Sequence, residues 1–191
     1  GPGASIPTME SILEMFPEDH LWPIDEYWYY HGRGGNPAQM LDIDTKALNA
    51  RFGEAKDLED YVKKSQLQAY EGKRAMFEAY GRNKYNSTGV IQWMLNNAWP
   101  GLYWHLYDYY LRTGGSYFGT KKGCEPLHIQ YSYDDRSIVV VNSFLREFKG
   151  LKAFVSVFNL DLTEKFSREI SFDISPDGVE RVVTIPELQN L

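Results

Sequence analysis

The chain has 191 residues and a formal charge of −6, and this acidic balance argues against a nucleic-acid-binding protein, which needs a basic surface. Its single cysteine, Cys124, excludes an internal disulfide, and no apolar run approaches the roughly 20 residues of a membrane-spanning helix. The four histidines show no metal-binding spacing, so the sequence predicts neither a metal site nor a cofactor.

The aromatic content of 15% leaves two interpretations open. Sugar rings present flat C–H faces that stack on indoles, so an acidic, aromatic-rich composition fits a protein that handles carbohydrate. A plain aromatic core is the commoner cause of such a content.

Three helical segments are predicted in the first half of the chain. Residues 9–16 form a short helix after a capping hydroxyl and end at a proline. Residues 43–53 form a helical turn that ends in glycine. The clearest helix covers residues 55–80, where apolar side chains recur at three- and four-residue steps and Gly81 follows as a stop signal.

Residues 17–45 show neither helical nor strand periodicity, which predicts a long loop rich in Gly, Pro and aromatic side chains. So many aromatic residues argue against disorder. Trp28 and His31 either face a cleft as part of a lid or rim, or pack in a satellite hydrophobic cluster under the loop.

Residues 89–100 carry the strongest functional signal. Residues 90–95 are a continuous apolar run, which predicts a buried parallel strand next to the preceding long helix. The run is followed at once by Asn97 and Trp99. A strand that delivers amides and an indole at its C-terminal end is how α/β barrels build sugar sites.

From about residue 127 the pattern changes to short alternating segments separated by turn signals. The predicted strands are residues 128–133, 137–144, 151–158, 166–174 and 179–185. This pattern indicates an antiparallel sandwich, and five strands fall short of the roughly seven of an immunoglobulin-like domain. Because a (β/α)8 barrel needs about 250 residues, both halves are interpreted as incomplete parts of a larger enzyme.

Four long strings resemble a known family: residues 1–12, 57–83, 89–111 and 116–142. They are similar to glycoside hydrolase family 2, in the branch of exo-β-D-glucosaminidases and mannosylglycoprotein endo-β-mannosidases. The resemblance implies a fold that is α/β plus all-β. Residues 1–127 would be the C-terminal part of a TIM-barrel catalytic domain, with its strand 8 at residues 90–95. Residues 128–191 would be an incomplete immunoglobulin-like β-sandwich domain.

The resemblance also implies a reaction, the retaining hydrolysis of β-linked glucosamine of the chitosan type or of β-mannoside oligosaccharides. Such enzymes use an acid and a Glu nucleophile whose carboxyl groups lie about 5 Å apart. In relatives the nucleophile lies just upstream of a motif like Gly1-Pro2-Gly3, and the acid lies further upstream. Neither catalytic carboxylate is therefore expected in this chain, which by itself should be inactive.

Five residues are expected to bind substrate. Related barrels place a Trp at the end of strand 8, often beside a non-proline cis peptide and under the sugar in the −1 subsite, and Trp93 occupies that position. Asn97 bonds either sugar hydroxyls or its own loop backbone. Trp99 lines the pocket or packs under the loop, and Trp28 and His31 are assigned to the rim.

The expected partners are an oligosaccharide substrate and the remainder of the parent enzyme, its upstream barrel and sandwich domains, with no nucleic acid or membrane. The family suggests a secreted or periplasmic location. The alternative interpretation is a non-catalytic carbohydrate-binding or scaffold module, which the aromatic loop and the sandwich tail would suit.

Overall fold

The computed structural model describes residues 5–32 and 37–187, in which helices come first along the chain and strands last. The helices are α1 (Met9–Met15), α2 (Glu26–His31), α3 (Pro37–Phe52), α4 (Leu58–Arg82) and α5 (Gly115–Gly123), with a 3-10 turn at Glu18–His20. The strands are β1 (Leu127–Tyr131), β2 (Ser137–Asn142), β3 (Phe148–Phe158), β4 (Glu164–Ile174) and β5 (Val179–Thr184). Of the helices in these ranges, none is long and apolar enough to cross a membrane.

The described residues divide into two compact units. The first unit contains residues 5–77 and 90–123, and the second contains residues 78–89 and 124–187. The fold is thus a mixture of helices and antiparallel sheet, and its units divide close to the predicted change of pattern near residue 127.

An aromatic core holds the first unit together. Phe16, which follows α1, contacts Trp28 of α2 with ring centroids 4.9 Å apart, and Trp28 meets Tyr61 of α4 edge-on at 5.6 Å. The other buried members of this core are Ile6, Ile12, Leu41, Leu48, Val62, Leu102 and Tyr103. Each aromatic ring buries a large apolar area, so these contacts supply most of the driving force for packing α1 to α4 together.

The prediction of a loop over residues 17–45 is wrong, because α2 and the first half of α3 lie within it. Helix α2 has only six residues, too few for a periodic pattern, and its start is fixed locally: the Asp25 carboxylate accepts a hydrogen bond from the Tyr27 amide at 3.0 Å. The helical turn predicted at residues 43–53 is the second half of α3. Glycine-rich residues 33–36 of the predicted loop lie outside the described residues.

The long helix predicted at residues 55–80 is confirmed as α4, and the short helix predicted at residues 9–16 is confirmed as α1. The predicted stop signal fails, since Gly81 lies inside the last turn of α4. Glycine stops a helix where the chain needs a left-handed residue, and here the helical hydrogen bonding continues past it.

Helix α5 forms in the glycine-rich stretch 113–123, where no helix was expected. Its glycines allow it to lie directly on the backbone of α4. A Cβ atom placed on Gly115 would come within 1.9 Å of the Gln66 carbonyl oxygen, a separation that no side chain can adopt. The Gln66 side chain completes the contact by accepting a hydrogen bond from the Gly115 amide at 2.5 Å.

All five predicted strands are confirmed in the second unit. Strand β2 pairs antiparallel with both β1 and β5, which gives a three-stranded sheet in the order β1-β2-β5. Strands β3 and β4 form a separate antiparallel pair. Ile138 of β2, Val155 of β3 and Ile185 after β5 are the buried centre of a shared apolar cluster.

The residues around the end of α4 belong to this second unit and are fastened to it by polar contacts. Glu78 accepts a hydrogen bond at 2.8 Å from His128 of β1, and both side chains are buried. Lys84 donates to the Asp177 carboxylate at 2.7 Å and to the Asn142 carbonyl at 3.0 Å. The bond between Glu78 and His128 satisfies two buried polar groups that would otherwise oppose folding.

Candidate functional site

The segment predicted as a buried strand is instead irregular, and every second side chain in it is exposed. Ile91, Trp93 and Leu95 are 93%, 71% and 62% exposed, and residues 90–95 are not part of a strand ladder. A parallel strand becomes buried only when strands pair with it on both edges. Within the described residues the backbone of this segment bonds only to the irregular chain from Trp104 to Tyr107, so the prediction of a buried strand is wrong for this chain.

The backbone on the C-terminal side of Trp93 is nonetheless fixed. The Met94 amide donates a hydrogen bond to the Trp104 carbonyl at 2.6 Å. The Leu95 carbonyl accepts hydrogen bonds from the amides of Leu106 and Tyr107, at 3.0 and 2.9 Å. The Trp93–Met94 peptide bond is cis, as the resemblance to related barrels implied. An exposed indole is therefore held on a short, firmly bonded stretch of backbone.

Asn97 is buried, and its amide group is used within its own loop. Its Nδ2 atom donates to the Gly101 carbonyl at 3.0 Å and to His105 Nδ1 at 2.8 Å. Because Nδ2 can only donate, His105 Nδ1 must accept and therefore carries no proton. Burial lowers the pKa of His105 to about 4, which agrees with this neutral imidazole. Of the two roles considered for Asn97, these contacts match the one in which it bonds its own loop.

Trp99 and His31 are brought together, as two parts of one aromatic cluster. Their rings stack with centroids 5.1 Å apart and planes 10° apart. His31 Nδ1 also donates a hydrogen bond to the Pro100 carbonyl at 2.6 Å, which ties α2 to the loop that carries Trp99. Tyr30 meets the Trp99 ring edge-on at 5.6 Å. Sequence reasoning missed Tyr30, although its position next to His31 in an aromatic run was a usable signal.

Trp28 lies in the core and not on a rim, which corrects its assignment to substrate binding. Its side chain is 0% exposed, and its indole nitrogen donates to the Leu21 carbonyl at 3.2 Å. In a six-residue helix, neighbouring side chains point to different faces, so Trp28 turns inward while Tyr30 turns outward. Of the two readings of the aromatic loop, the hydrophobic cluster applies to Trp28.

The carboxylates of Asp108 and Glu14 are engaged in structural contacts. Asp108 is buried, accepts a hydrogen bond from the Ser11 hydroxyl at 2.5 Å and accepts two more from the amides of Tyr110 and Arg112. Glu14 pairs with the Arg112 guanidinium. This network joins α1 to the loop before α5. The motif at residues 1–3 lies outside the described residues.

One group of ligand-type side chains comes together despite the absence of metal-binding spacing in the sequence. Potential ligand atoms of His20, Asp25 and Glu26 lie within 4.8 Å of one another. His20 Nδ1 lies 2.6 Å from the Asp25 carboxylate, and this hydrogen bond raises the pKa of His20. Asp25 also caps α2 through the Tyr27 amide, so these contacts are explained by the start of the helix.

Relatives of known function match nearly the whole chain. An exo-β-D-glucosaminidase from Streptomyces avermitilis is 43% identical over an alignment of 193 positions, which covers 96% of this chain and 21% of that protein. An exo-β-D-glucosaminidase from Amycolatopsis orientalis is 39% identical over 99% of this chain and 19% of its own length. A mannosylglycoprotein endo-β-mannosidase from Lilium longiflorum is 28% identical over 98% of this chain. The chain spans about a fifth of the length of these relatives.

Solved structures also match nearly the whole chain. An exo-chitosanase from Amycolatopsis orientalis, in complex with PNP-β-D-glucosamine, has a TM-score of 0.90 at 39% identity, covering 100% of this chain and 24% of that chain. A β-D-mannosidase from Dictyoglomus thermophilum has a TM-score of 0.82 over 94% of this chain and 22% of its own, and at 19% identity it is evidence of fold alone. No protein-family model matches the chain. The chain is therefore homologous to one stretch of the glycoside hydrolases of family 2, in the branch of exo-β-D-glucosaminidases and mannosylglycoprotein endo-β-mannosidases.

Proposed function

We propose that this chain is the part of a retaining glycoside hydrolase that supplies one wall of the sugar pocket, with Trp93 as the surface on which the sugar stacks. The proposed substrate is a β-linked glucosamine oligosaccharide of the chitosan type, since two exo-β-D-glucosaminidases are 43% and 39% identical to this chain. Hydrolysis of a β-mannoside is the second possibility, which the more distant endo-β-mannosidase supports.

The observation that carries the proposal is the exposed Trp93 indole on a fixed backbone. A flat aromatic ring that is exposed on a firmly bonded backbone offers a surface suited to stacking on a sugar. The flat C–H face of a sugar ring would cover that indole, and the fixed backbone lowers the entropy that is lost when the sugar binds. Among the described residues the indole of Trp93 has no stacking ring, which leaves both of its faces available.

The other predicted residues take supporting roles in this proposal. Trp99, Tyr30 and His31 form an aromatic cluster that extends the pocket wall beyond the first sugar. Asn97 shapes the loop through its bonds to Gly101 and His105, and any contact of its carbonyl oxygen with a sugar hydroxyl is secondary.

The domain assignment is part of the same proposal. Residues 1–127 would be the C-terminal part of a TIM-barrel catalytic domain and residues 128–191 an incomplete immunoglobulin-like sandwich. The exposed, irregular segment at residues 90–95 supports the first assignment, because a barrel would provide strands on both of its edges. A groove of about 480 Å³ lined by residues of both sheets, including Ile138 and Val155, supports the second, since further strands would fill it.

The acid and the nucleophile would come from polypeptide outside this chain. The carboxylates of Asp108, Glu14 and Asp25 are engaged in the structural contacts described above, which supports this view. Two carboxyl groups about 5 Å apart, facing the sugar on Trp93, would complete the site.

The proposal is tested with the longest natural polypeptide that contains this chain. We expect it to release p-nitrophenol from PNP-β-D-glucosamine, and the first sugar released from a chitosan oligomer to retain its β configuration by NMR. Activity restricted to β-galactosides or β-glucuronides would contradict the assignment to this branch.

A different experiment separates this proposal from a non-catalytic carbohydrate-binding module. A module should fold alone, so the excised chain would unfold cooperatively and bind chitosan oligomers in calorimetry. We instead expect the excised chain to associate or aggregate, because Ile91 and Leu95 expose apolar side chains on an unpaired edge.

A further inference from the structure

The most unusual buried group outside the pocket wall is the ammonium of Lys73 on α4. Its side chain is only 2% exposed, and Nζ donates a hydrogen bond to the Gln92 side chain at 3.0 Å. Lysine is among the residues least often buried, because its charge is costly to remove from water. The same burial lowers the pKa of Lys73 to about 8. A group that opposes folding in this way points to a role in function.

Gln92 also forms hydrogen bonds to the backbone near Trp93, and so links Lys73 to that backbone. Its Nε2 atom donates to the Trp104 carbonyl at 2.7 Å and reaches the Met94 carbonyl at 3.5 Å. An ammonium only donates and a carbonyl only accepts, so the Gln92 amide has one possible orientation, with Oε1 toward Lys73. Both hydrogen bonds are therefore donated toward the loop: Lys73 of α4 donates to Gln92, and Gln92 donates to the Trp104 carbonyl.

The Trp104 carbonyl oxygen binds both sequence neighbours of Trp93, which are Gln92 and Met94. It accepts from Gln92 Nε2 and from the Met94 amide, which occupies both of its lone pairs. Trp93 thus lies between two residues that are bonded to the same oxygen atom. Its own indole makes no ring contact or hydrogen bond within the described residues, so this backbone sets the direction in which its Cα–Cβ bond leaves the chain.

We infer that Lys73 and Gln92 are positioning residues that hold Trp93 in the orientation in which it receives the sugar. This inference rests on the proposed stacking role of Trp93. Helix α4 is the rigid support, and Gln92 is the link that transfers its position to an exposed loop. Neither side chain touches the sugar.

The test measures KM for PNP-β-D-glucosamine in the longest natural polypeptide that contains this chain. Lys73→Met should raise KM about tenfold, the effect of losing a hydrogen bond to a charged group. Lys63→Met, an exposed lysine on the same helix, is the matched control and should leave KM unchanged. A merely structural role of Lys73 would lower the amount of folded enzyme, and hence the apparent kcat, without changing KM.

Gln92→Glu decides the question if Lys73→Met does not fold. The new carboxylate still pairs with the Lys73 ammonium, so the buried charge keeps a partner. It cannot donate to the Trp104 carbonyl, however, so the link to the loop is broken and KM should rise as in Lys73→Met. An unchanged KM in Gln92→Glu would overturn the inference.

A double-mutant cycle with Trp93→Ala separates this inference from the proposed function. Trp93→Ala alone should raise KM, and adding Gln92→Glu to it should cause no further rise, because both act through the same indole. Additive effects would overturn the positioning role and leave the stacking role of Trp93 standing. Parental KM and kcat in Trp93→Ala would overturn the proposed function, and this inference with it.

Discussion

Gly119 of α5 lies so close to α4 that a Cβ atom at its position would come within 2.1 Å of the Tyr70 carbonyl oxygen. Together with Gly115, one helical turn earlier, it forms the surface through which α5 rests on the α4 backbone. Helix α4 is therefore fixed on this side by backbone contact, and it carries Lys73 on its buried stripe.

Gly119→Ala should destabilise the protein by about 2 kcal/mol or more, because the close backbone contact must open to admit a methyl group. The matched control is Gly81→Ala, at a helical position with nothing within 4 Å of an added Cβ. That change should stabilise α4 by up to about 1 kcal/mol, the usual gain of alanine over glycine in a helix. Thermal unfolding of both variants, made in the longest natural polypeptide that contains this chain, checks the prediction. Equal unfolding midpoints would show that α5 does not lie directly on the α4 backbone.

The buried imidazole of His105 should make stability depend on pH. Its folded-state pKa of about 4 lies below the ordinary value of 6.5, so the unfolded chain binds the extra proton first as pH falls. The contribution of His105 to stability should be lost between about pH 6.5 and 4, by roughly 3 kcal/mol in total, and this contribution should not change further below that range.

His105→Gln tests this prediction, since glutamine can still accept from Asn97 but does not titrate. Urea unfolding across the same pH range should show the advantage of the parent protein over the variant shrinking as pH falls. A constant difference would mean that His105 is not the group responsible.

The stacked pair of His31 and Trp99 should stabilise the loop that bears the second indole. His31→Ala removes both the ring contact and the hydrogen bond to the Pro100 carbonyl, and should cost about 2 kcal/mol. His31→Phe keeps a ring but not the hydrogen bond, so its cost should be intermediate. Chemical denaturation gives both values, and a cost for His31→Phe equal to that of His31→Ala would show that the ring contact contributes nothing.

The sequence predicted the elements whose pattern is local and missed those that depend on distant neighbours. Helix α4 and the five strands have clear periodicity, so they were predicted within a few residues. Helix α5 was missed because its glycines are poor helix formers. They are helical here because only glycine allows contact with the carbonyls of Gln66 and Tyr70, which no pattern within residues 115–123 reveals.

The candidate site likewise contains residues that the sequence pointed to and residues whose position it did not reveal. Trp93 and its cis peptide bond followed from a resemblance over many residues, and so did the segment that bears Trp99. The burial of Trp28 could not be read from a six-residue helix, since it depends on contacts with Phe16 and Tyr61. The burial of Lys73 could not be predicted either, because its charge is visible in the sequence and the position of its neighbours is not.

The central claim, that Trp93 receives the sugar, is tested most directly by the kinetics of Trp93→Ala in the intact enzyme on PNP-β-D-glucosamine. The exposed indole stabilises little of the fold, so the unfolding midpoint should stay close to that of the parent protein. We predict a fall in kcat/KM of about tenfold or more, from the loss of about 1.4 kcal/mol or more of ring contact. Parental kcat/KM in a normally folded Trp93→Ala variant would contradict the account.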